Sequence, residues 1–155
     1  MHRLTACGAA IVLTGCSGTR PSAPSAIPER VWRSNTAIVV RQLQGDIAAA
    51  QLSDGTARAA RTALHDDSSL YGLLVSYSDF AGCRSMVASA GVEPRSGAAV
   101  GHALGLGCRH LERASTLFTT AVRHDDGEAL IAAGREAGRA LPSLVRAAAD
   151  LRQAR

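Results

Sequence analysis

Residues 83–108 read CRSMVASAGVEPRSGAAVGHALGLGC, and this stretch decides the fold. Its centre, Gly91-Val92-Glu93-Pro94-Arg95-Ser96-Gly97, predicts a turn, because Gly and Pro both break helices and Pro also restricts the residue before it. Apolar residues recur at helical spacing on both sides of this turn. The stretch therefore predicts a helical hairpin that carries Cys83 on one arm and Cys108 on the other.

The two cysteines are nearly equidistant from the turn. Residues equidistant from the turn of an antiparallel hairpin face each other, and a disulfide requires this. We therefore predict a structural Cys83–Cys108 disulfide, and a redox-active or metal-binding pair is the alternative, without a Cys-x-x-Cys spacing to favour it. We also expect small residues on the same helix stripes to bring the two backbones close together. These small residues are Gly97, Gly101 and Gly105 beside Cys108, and Gly72 and Ser76 beside Cys83.

Helical periodicity continues outward from the hairpin in both directions. It predicts four long helices over about 29–64, 67–90, 97–123 and 126–153, with a break near 53–55 and a kink or split at Pro142. Ala, Leu and Val dominate the apolar residues and no alternating strand pattern occurs, so we expect no sheet. Short connections favour antiparallel neighbours. The predicted fold is an all-α, up-down-up-down four-helix bundle with a kinked first helix.

The same periodicity predicts which side chains form the core. Apolar residues spaced by three, four and seven positions should face inward on each helix. The predicted core residues include Trp32, Val39, Leu43, Ile47 and Ala50 of the first helix, Leu73, Tyr77 and Phe80 of the second, Leu104, Phe118 and Val122 of the third, and Leu130, Leu144 and Leu151 of the fourth.

The charge balance is mildly basic. The 17 cationic residues other than His are all Arg, and 13 acidic residues give a net charge of +4. Nucleic-acid-binding proteins gather cations on one face among aromatic residues, and here aromatics make up only 3% of the chain. We expect no nucleic-acid partner, and at most a mild attraction to anionic lipid headgroups.

An export signal is predicted at the start of the sequence. His2 and Arg3 precede an apolar run from Leu4 to Leu13, and the tetrad Leu13-Thr14-Gly15-Cys16 closes it. A ten-residue run is short of the roughly 20 residues that span a bilayer, so it is typical of a signal peptide. The Pro, Ser and Ala residues that follow predict a disordered tether.

The tetrad ending at Cys16 resembles the lipobox of bacterial lipoproteins. This resemblance implies cleavage between Gly15 and Cys16, a diacylglycerol thioether on Cys16, and anchoring by acyl chains such as palmitate. The chain, including its stretch GCRHLERA at 107–114, is similar to small Ala- and Arg-rich lipoproteins of actinobacteria, and this similarity implies no activity. Composition, periodicity and this resemblance together predict three segments: a signal peptide (1–15), a lipidated Cys with a disordered tether (16–28), and a helical domain (29–155). The resemblance implies that the domain lies on the outer face of the cytoplasmic membrane.

His-Asp-Asp occurs twice, at 65–67 and 124–126, each time at a predicted connection between helices and at the same end of the bundle. Imidazole and carboxylate groups bind divalent cations, so one hypothesis is a metal site. Its ligands would be His65, Asp66, Asp67, His124, Asp125 and Asp126. The preferred interpretation is helix capping, with Asp66 or Asp67 and Asp125 with Glu128 as N-caps, and with each His at a negative helix end.

The sequence contains no motif that indicates catalysis. It lacks a Gly-x-Ser-x-Gly elbow, and the Gly-x-x-x-Gly spacings at 97–105 and 134–138 are not preceded by the strand that a dinucleotide site requires. We therefore expect no enzyme activity and no cofactor. The preferred function is a binding or interaction module that recognises an envelope protein or wall component. The alternative is a carrier that holds a small apolar ligand between its helices.

Overall fold

The computed structural model describes residues 27–52 and 55–153, and the regular structure of these residues is helical, without strands. The all-α class is therefore confirmed. The expected signal peptide, with Gly15 and Cys16, lies outside the described residues, as does most of the expected tether. The helices are α1 (Glu29–Ala50), α2 (Ala57–His65), α3 (Asp67–Ala81), α4 (Cys83–Ser89), α5 (Ala98–His124), α6 (Gly127–Gly138) and α7 (Leu141–Gln153), and a 3-10 turn (Arg95–Gly97) precedes α5.

Breaks divide three of the four long helices that the periodicity predicts. The first break follows Ala50, and Thr56 begins α2 by accepting a hydrogen bond from the Ala59 N–H. The last falls at residues 139–140, just before Pro142, as expected from the missing Pro N–H. The prediction of one continuous helix over 67–90 is wrong, because Gly82 leaves helical geometry with φ −86° and ψ 2°. Gly is a weak helix former, and apolar periodicity does not reveal such an interruption.

Contacts between side chains show which helices run antiparallel. The Asn35 side chain donates to the carbonyl of Ala90, whereas Gln42, farther along α1, donates to Asp79, so α1 runs opposite to α3 and α4. At the other side of α1, Arg33 donates to the carbonyl of Leu151 near the end of α7. Helix α5 packs between α3 and the α6 and α7 pair, and α2 lies against α6 and α3.

The core follows the predicted stripes, with two corrections. On α1, Val40 is fully buried and Val39 is only partly buried; on α5, Ala121 is fully buried and Val122 is 44% exposed. Neighbouring residues on a helix point about 100° apart, so an error of one position turns a side chain from the core toward its edge. The buried side chains that agree with the prediction include Trp32, Leu43, Ile47, Leu73, Tyr77, Phe80, Leu104, Phe118, Leu130 and Leu144.

Stacked aromatic rings join α3 to α5, and the predicted small residue Ser76 of α3 is buried next to Tyr77. The ring of Tyr77 stacks on that of Phe118 with centroids 4.3 Å apart, and Phe80 meets Tyr77 edge to face at 5.1 Å. Burial of the Tyr77 side chain raises its pKa above the usual range.

In the described part of the chain, no helix is both long enough and apolar enough to cross a bilayer.

The predicted glycine stripe does not mediate this contact. A Cβ on Gly97 would meet the Trp32 ring, one on Gly101 would meet the Glu93 carboxylate, and one on Gly105 or Gly72 would meet open space. The expectation that these glycines draw the two hairpin helices together is therefore wrong. Close approach of the hairpin is seen at Cys83 and Cys108, whose Cα atoms are 5.5 Å apart.

Candidate functional site

Cys83 and Cys108 form a disulfide in the structure, with Cα atoms 5.5 Å apart. Cys83 is the first residue of α4 and Cys108 lies in the middle of α5, and both are fully buried. The disulfide therefore joins α4 to α5, the two helices that lie on either side of the predicted turn. Burial removes both sulfur atoms from solvent, which suits a structural bond better than thiol exchange.

The two His-Asp-Asp segments meet in space. His65 Nε2 lies 2.9 Å from Asp125 Oδ1, and Arg61 Nε donates to the Asp125 backbone carbonyl at 3.1 Å. The side chains of His65 and Asp125 are half or more exposed. The two connections therefore lie at the same end of the molecule, and they are joined by a contact between exposed side chains.

Both copies also cap helices. Asp66 accepts from the Ser69 N–H at the start of α3, and Asp126 accepts from the Glu128 and Ala129 N–H groups at the start of α6. These bonds satisfy donors that a helix N-terminus leaves free. The Asp125 cap predicted for α6 is wrong, because Asp125 instead ends α5 in a left-handed conformation with φ 51°.

The metal hypothesis gains no support from this arrangement. Over residues 27–52 and 55–153, no group of three or more His, Cys, Asp or Glu side chains is placed to hold a metal ion. Asp66 and Asp126 direct oxygen atoms to backbone N–H groups. His65 and Asp125 contact each other, so the six candidate ligands do not converge on one point.

A buried carboxylate connects α5 to α6 and was not expected from the sequence. The side chain of Glu136 is 10% exposed and contacts His110 Nδ1 at 2.7 Å and Arg139 Nη1 at 2.6 Å. The hydrogen bond to His110, and the weaker effect of Arg139, lower the pKa of Glu136. The three-residue spacing of Glu136 and Arg139 predicts that they pair on one helix face, but nothing in the sequence predicts the contact of Glu136 with His110.

A second acidic group lies between α1 and α3. Burial, and next the charge of Asp79, raise the pKa of Asp46 to about 6. Asp46 Oδ2 is buried and has no hydrogen-bond donor among the described residues, while Gln42 Nε2 donates to Asp79 Oδ2 at 2.7 Å. Burial and the neighbouring Asp79 charge therefore favour the protonated form of Asp46.

A cleft of about 290 Å³ lies where the end of α1 meets α6. Its walls are formed largely by apolar or small residues: Ala50, Leu52, Gly55, Leu130, Ile131, Gly134 and Gly138. Gln51 and Arg135 supply the polar groups at its edge. The predicted Gly134-x-x-x-Gly138 spacing therefore opens a groove beside α1. This volume is near the lower limit for pockets that hold small molecules.

An apolar face is exposed on α3. Tyr71 is 71% exposed, and Leu74 and Val75 are each nearly half exposed. Residues three and four positions apart are neighbours on a helix, so the three side chains form one surface, here called the α3 face. Single exposed apolar residues are common on soluble domains, but a contiguous set is typical of interaction surfaces.

Comparison of the chain with protein-family models, with curated proteins and with solved structures finds no match. The described residues offer an apolar cleft, an exposed apolar face and a buried disulfide.

Proposed function

We propose that this protein is a lipoprotein on the outer face of the cytoplasmic membrane, whose helical domain is a non-catalytic binding or interaction module. The observation that carries the proposal is the tetrad Leu13-Thr14-Gly15-Cys16 directly after a ten-residue apolar run. The signal peptide would occupy residues 1–15, the lipidated Cys and tether 16–28, and the binding domain 29–155. Acylation of Cys16 by two or more chains is enough for stable attachment.

We further propose that the domain is an up-down-up-down bundle of four helical segments, with α2 across one end. The first segment is α1, the second is α3 followed by α4, the third is α5, and the fourth is α6 followed by α7. The antiparallel contacts of α1 with α4 and α7 support this arrangement. With this topology, the His65–Asp125 contact lies at the end of the domain away from Pro28, and so away from the lipid.

The α3 face is the surface that we propose binds an envelope protein or wall component. Tyr is enriched among the residues that supply most of the binding free energy in protein interfaces, so Tyr71 is the expected anchor, and Leu74 and Val75 would add apolar contact around it. The carboxylates of Asp46 and Glu136 do not line the cleft beside α6, and Glu136 instead borders a separate pocket with Arg113. Among the described residues, the wall of this cleft contains no carboxylate or imidazole group, which favours binding over catalysis there.

The lipid attachment is tested with Cys16→Ser and with Cys7→Ser as the matched control. Cells are fed an alkyne-bearing palmitate analogue, and the protein is assayed for label, for membrane association and for its first residue. We expect wild type and the Cys7→Ser variant to carry label and to begin at Cys16, and the Cys16→Ser variant to lose the label. A mature chain that begins elsewhere would contradict the proposal.

The α3 face is tested with a Tyr71→Ser, Leu74→Ser double variant. A Val122→Ser, Val145→Ser double variant is the control, because it removes two exposed apolar side chains from other helices. The lipidated proteins are crosslinked in intact cells, and the captured chains are identified by mass spectrometry. We expect the first variant alone to lose a specific crosslinked product. Identical products from all three proteins would exclude the α3 face as the interface.

The second candidate function is a carrier of a small apolar ligand, and the cleft beside α6 favours it. Gly134 lies in its wall and a Cβ there would stand 3.6 Å from the Ala50 carbonyl, so Gly134→Leu should fill the cleft without displacing backbone. Gly105→Leu is the control, since Gly105 faces open space on α5. An environment-sensitive apolar dye should bind wild type and the control, and not the filled variant. Equal dye binding by all three would rule out the cleft.

A further inference from the structure

Four arginines line a groove between the first half of α1 and the end of α7. The groove encloses about 370 Å³, and its cationic side chains are Arg30, Arg33, Arg41 and Arg152. Val40 and Leu151 are buried beneath them and form an apolar floor. We call this surface the arginine groove.

The charges of this groove are poorly compensated within the described residues. Arg33 pairs with Glu29 at 2.6 Å, and this contact lowers the pKa of the Glu29 carboxyl. Arg30, Arg41 and Arg152 are exposed and have no ion-pair partner in the part of the chain that the structure describes. Exposed guanidinium groups that lack a carboxylate partner remain available to an external anion.

The position of the groove favours one source of anions. Arg30 lies 14 residues after Cys16 and belongs to the first turn of α1. Fourteen extended residues reach at most about 50 Å, so a lipid on Cys16 would hold the groove within this distance of the bilayer. Such a tether raises the effective concentration of the groove at the membrane surface.

We propose that the arginine groove docks the helical domain onto the headgroups of anionic phospholipids in the membrane that anchors Cys16. This inference rests on the lipid attachment proposed above. Guanidinium groups bind phosphate oxygens through paired N–H donors, and the apolar floor suits the glycerol region beneath the headgroup. The domain would then lie with α1 and α7 against the bilayer, and α3, on the opposite side of α1 from α7, would stay accessible.

The experiment uses the full chain with Cys16→Ser, so that no covalent lipid contributes to binding. Sedimentation measures its affinity for phosphatidylcholine vesicles with and without phosphatidylglycerol. The groove variant carries Arg30→Gln, Arg41→Gln and Arg152→Gln. The control carries Arg58→Gln, Arg109→Gln and Arg123→Gln, which remove the same charge from exposed positions outside the groove. The signal peptide of residues 1–15 is present in all three proteins, so any binding that it contributes cancels from the comparison.

We expect phosphatidylglycerol to increase binding of the parent chain, and salt to reverse this increase. The groove variant should lose about a hundredfold in affinity at low salt, and the control should lose much less. The proposal would be overturned if the two variants lost affinity equally, or if the parent chain bound both vesicle types equally. Displacement of the vesicle-bound parent chain by inorganic phosphate at constant ionic strength would also overturn it. Circular dichroism verifies folding, and the salt dependence of the parent chain tests the proposal without any groove substitution. Failure of lipid attachment would leave these results unchanged, because this chain cannot be acylated at position 16.

Discussion

His65 Nε2 and Asp125 Oδ1 lie 2.9 Å apart and join the two copies of His-Asp-Asp across the end of the molecule. Both side chains are well exposed, so their mutual attraction is screened by solvent and contributes little to stability. The second Asp of the later copy has a different role, because Asp126 bonds backbone N–H groups of α6. Neighbouring residues of one motif thus differ in their contribution to folding.

Replacing Asp126 by Ala should destabilise the protein. The loss of an N-cap costs about 1 kcal/mol, because two N–H groups of α6 lose their acceptor. Urea denaturation gives the change in free energy of unfolding. Asp125→Asn is the control and should change stability by less than about 0.5 kcal/mol, since Asn tolerates the left-handed conformation. A larger loss for Asp125→Asn than for Asp126→Ala would reverse our assignment of the cap.

Replacing Asp46 by Asn should stabilise the protein at neutral pH. The pKa of Asp46 rises from 3.8 to about 6 on folding, so the folded state binds more protons between these values. Stability therefore falls as pH rises through this window, and the full penalty is present above it. Asn cannot ionise, and we expect a gain of roughly 1 kcal/mol at pH 7.5 after allowance for solvent screening, and little gain near pH 4.

Thermal unfolding of wild type and Asp46→Asn across this pH range measures the effect. Asp67→Asn is the control, because Asp67 is exposed in the first turn of α3, where a negative charge is favourable. The control should not gain stability at neutral pH. A pH dependence of Asp46→Asn identical to that of wild type would show that Asp46 does not titrate in this window.

Removing the Cys83–Cys108 disulfide should destabilise the protein substantially. The bond closes a loop with a sequence separation of 25 residues. Constraining a loop of this size in the unfolded chain stabilises the fold by about 3–4 kcal/mol on chain-entropy grounds. Denaturation of a Cys83→Ala, Cys108→Ala variant, compared with wild type with and without reductant, measures the loss. Two free thiols in the non-reduced mature protein would refute the bond itself.

Replacing Gly127 by Ala should disrupt the contact between α2 and α6. A Cβ at this position would overlap the backbone carbonyl of Ala57, which cannot move without shifting the start of α2. We expect a loss of about 1–3 kcal/mol, as for other overpacked sites. Gly105→Ala is the matched control and should gain up to about 1 kcal/mol, because Gly105 is helical and faces open space. Equal effects of the two substitutions on thermal stability would contradict this prediction, because they would show that the Ala57 backbone shifts to accommodate the added Cβ.

Much of the fold could be predicted from the sequence because the relevant signals are local. Gly91 and Pro94 define the hairpin turn, Pro142 marks the split between α6 and α7, and apolar spacing identifies most core positions. The pairing of Cys83 with Cys108 followed from their positions relative to one turn. Each of these inferences needs only the chemistry of neighbouring residues and the period of a helix.

The candidate sites were predictable only in part, because they depend on how helices are rotated against each other. The cleft beside α6 and the arginine groove each combine residues more than 75 positions apart, and no local pattern links them. The same holds for Asp46 with Asp79 and for His110 with Glu136. A rotation of one residue, about 100°, would separate either pair.

The sequence by itself determined the helical class and the hairpin, and the proposed export and lipid signals rest on it alone, since all of these depend on the order of residues along a short stretch of chain. The tertiary structure alone decided that Asp46 meets Asp79, that Val40 and not Val39 lies in the core, and that four arginines share one groove. The physical reason is that side-chain encounters between helices are fixed by packing of the whole core. Packing selects one rotation of each helix from several that the periodicity allows.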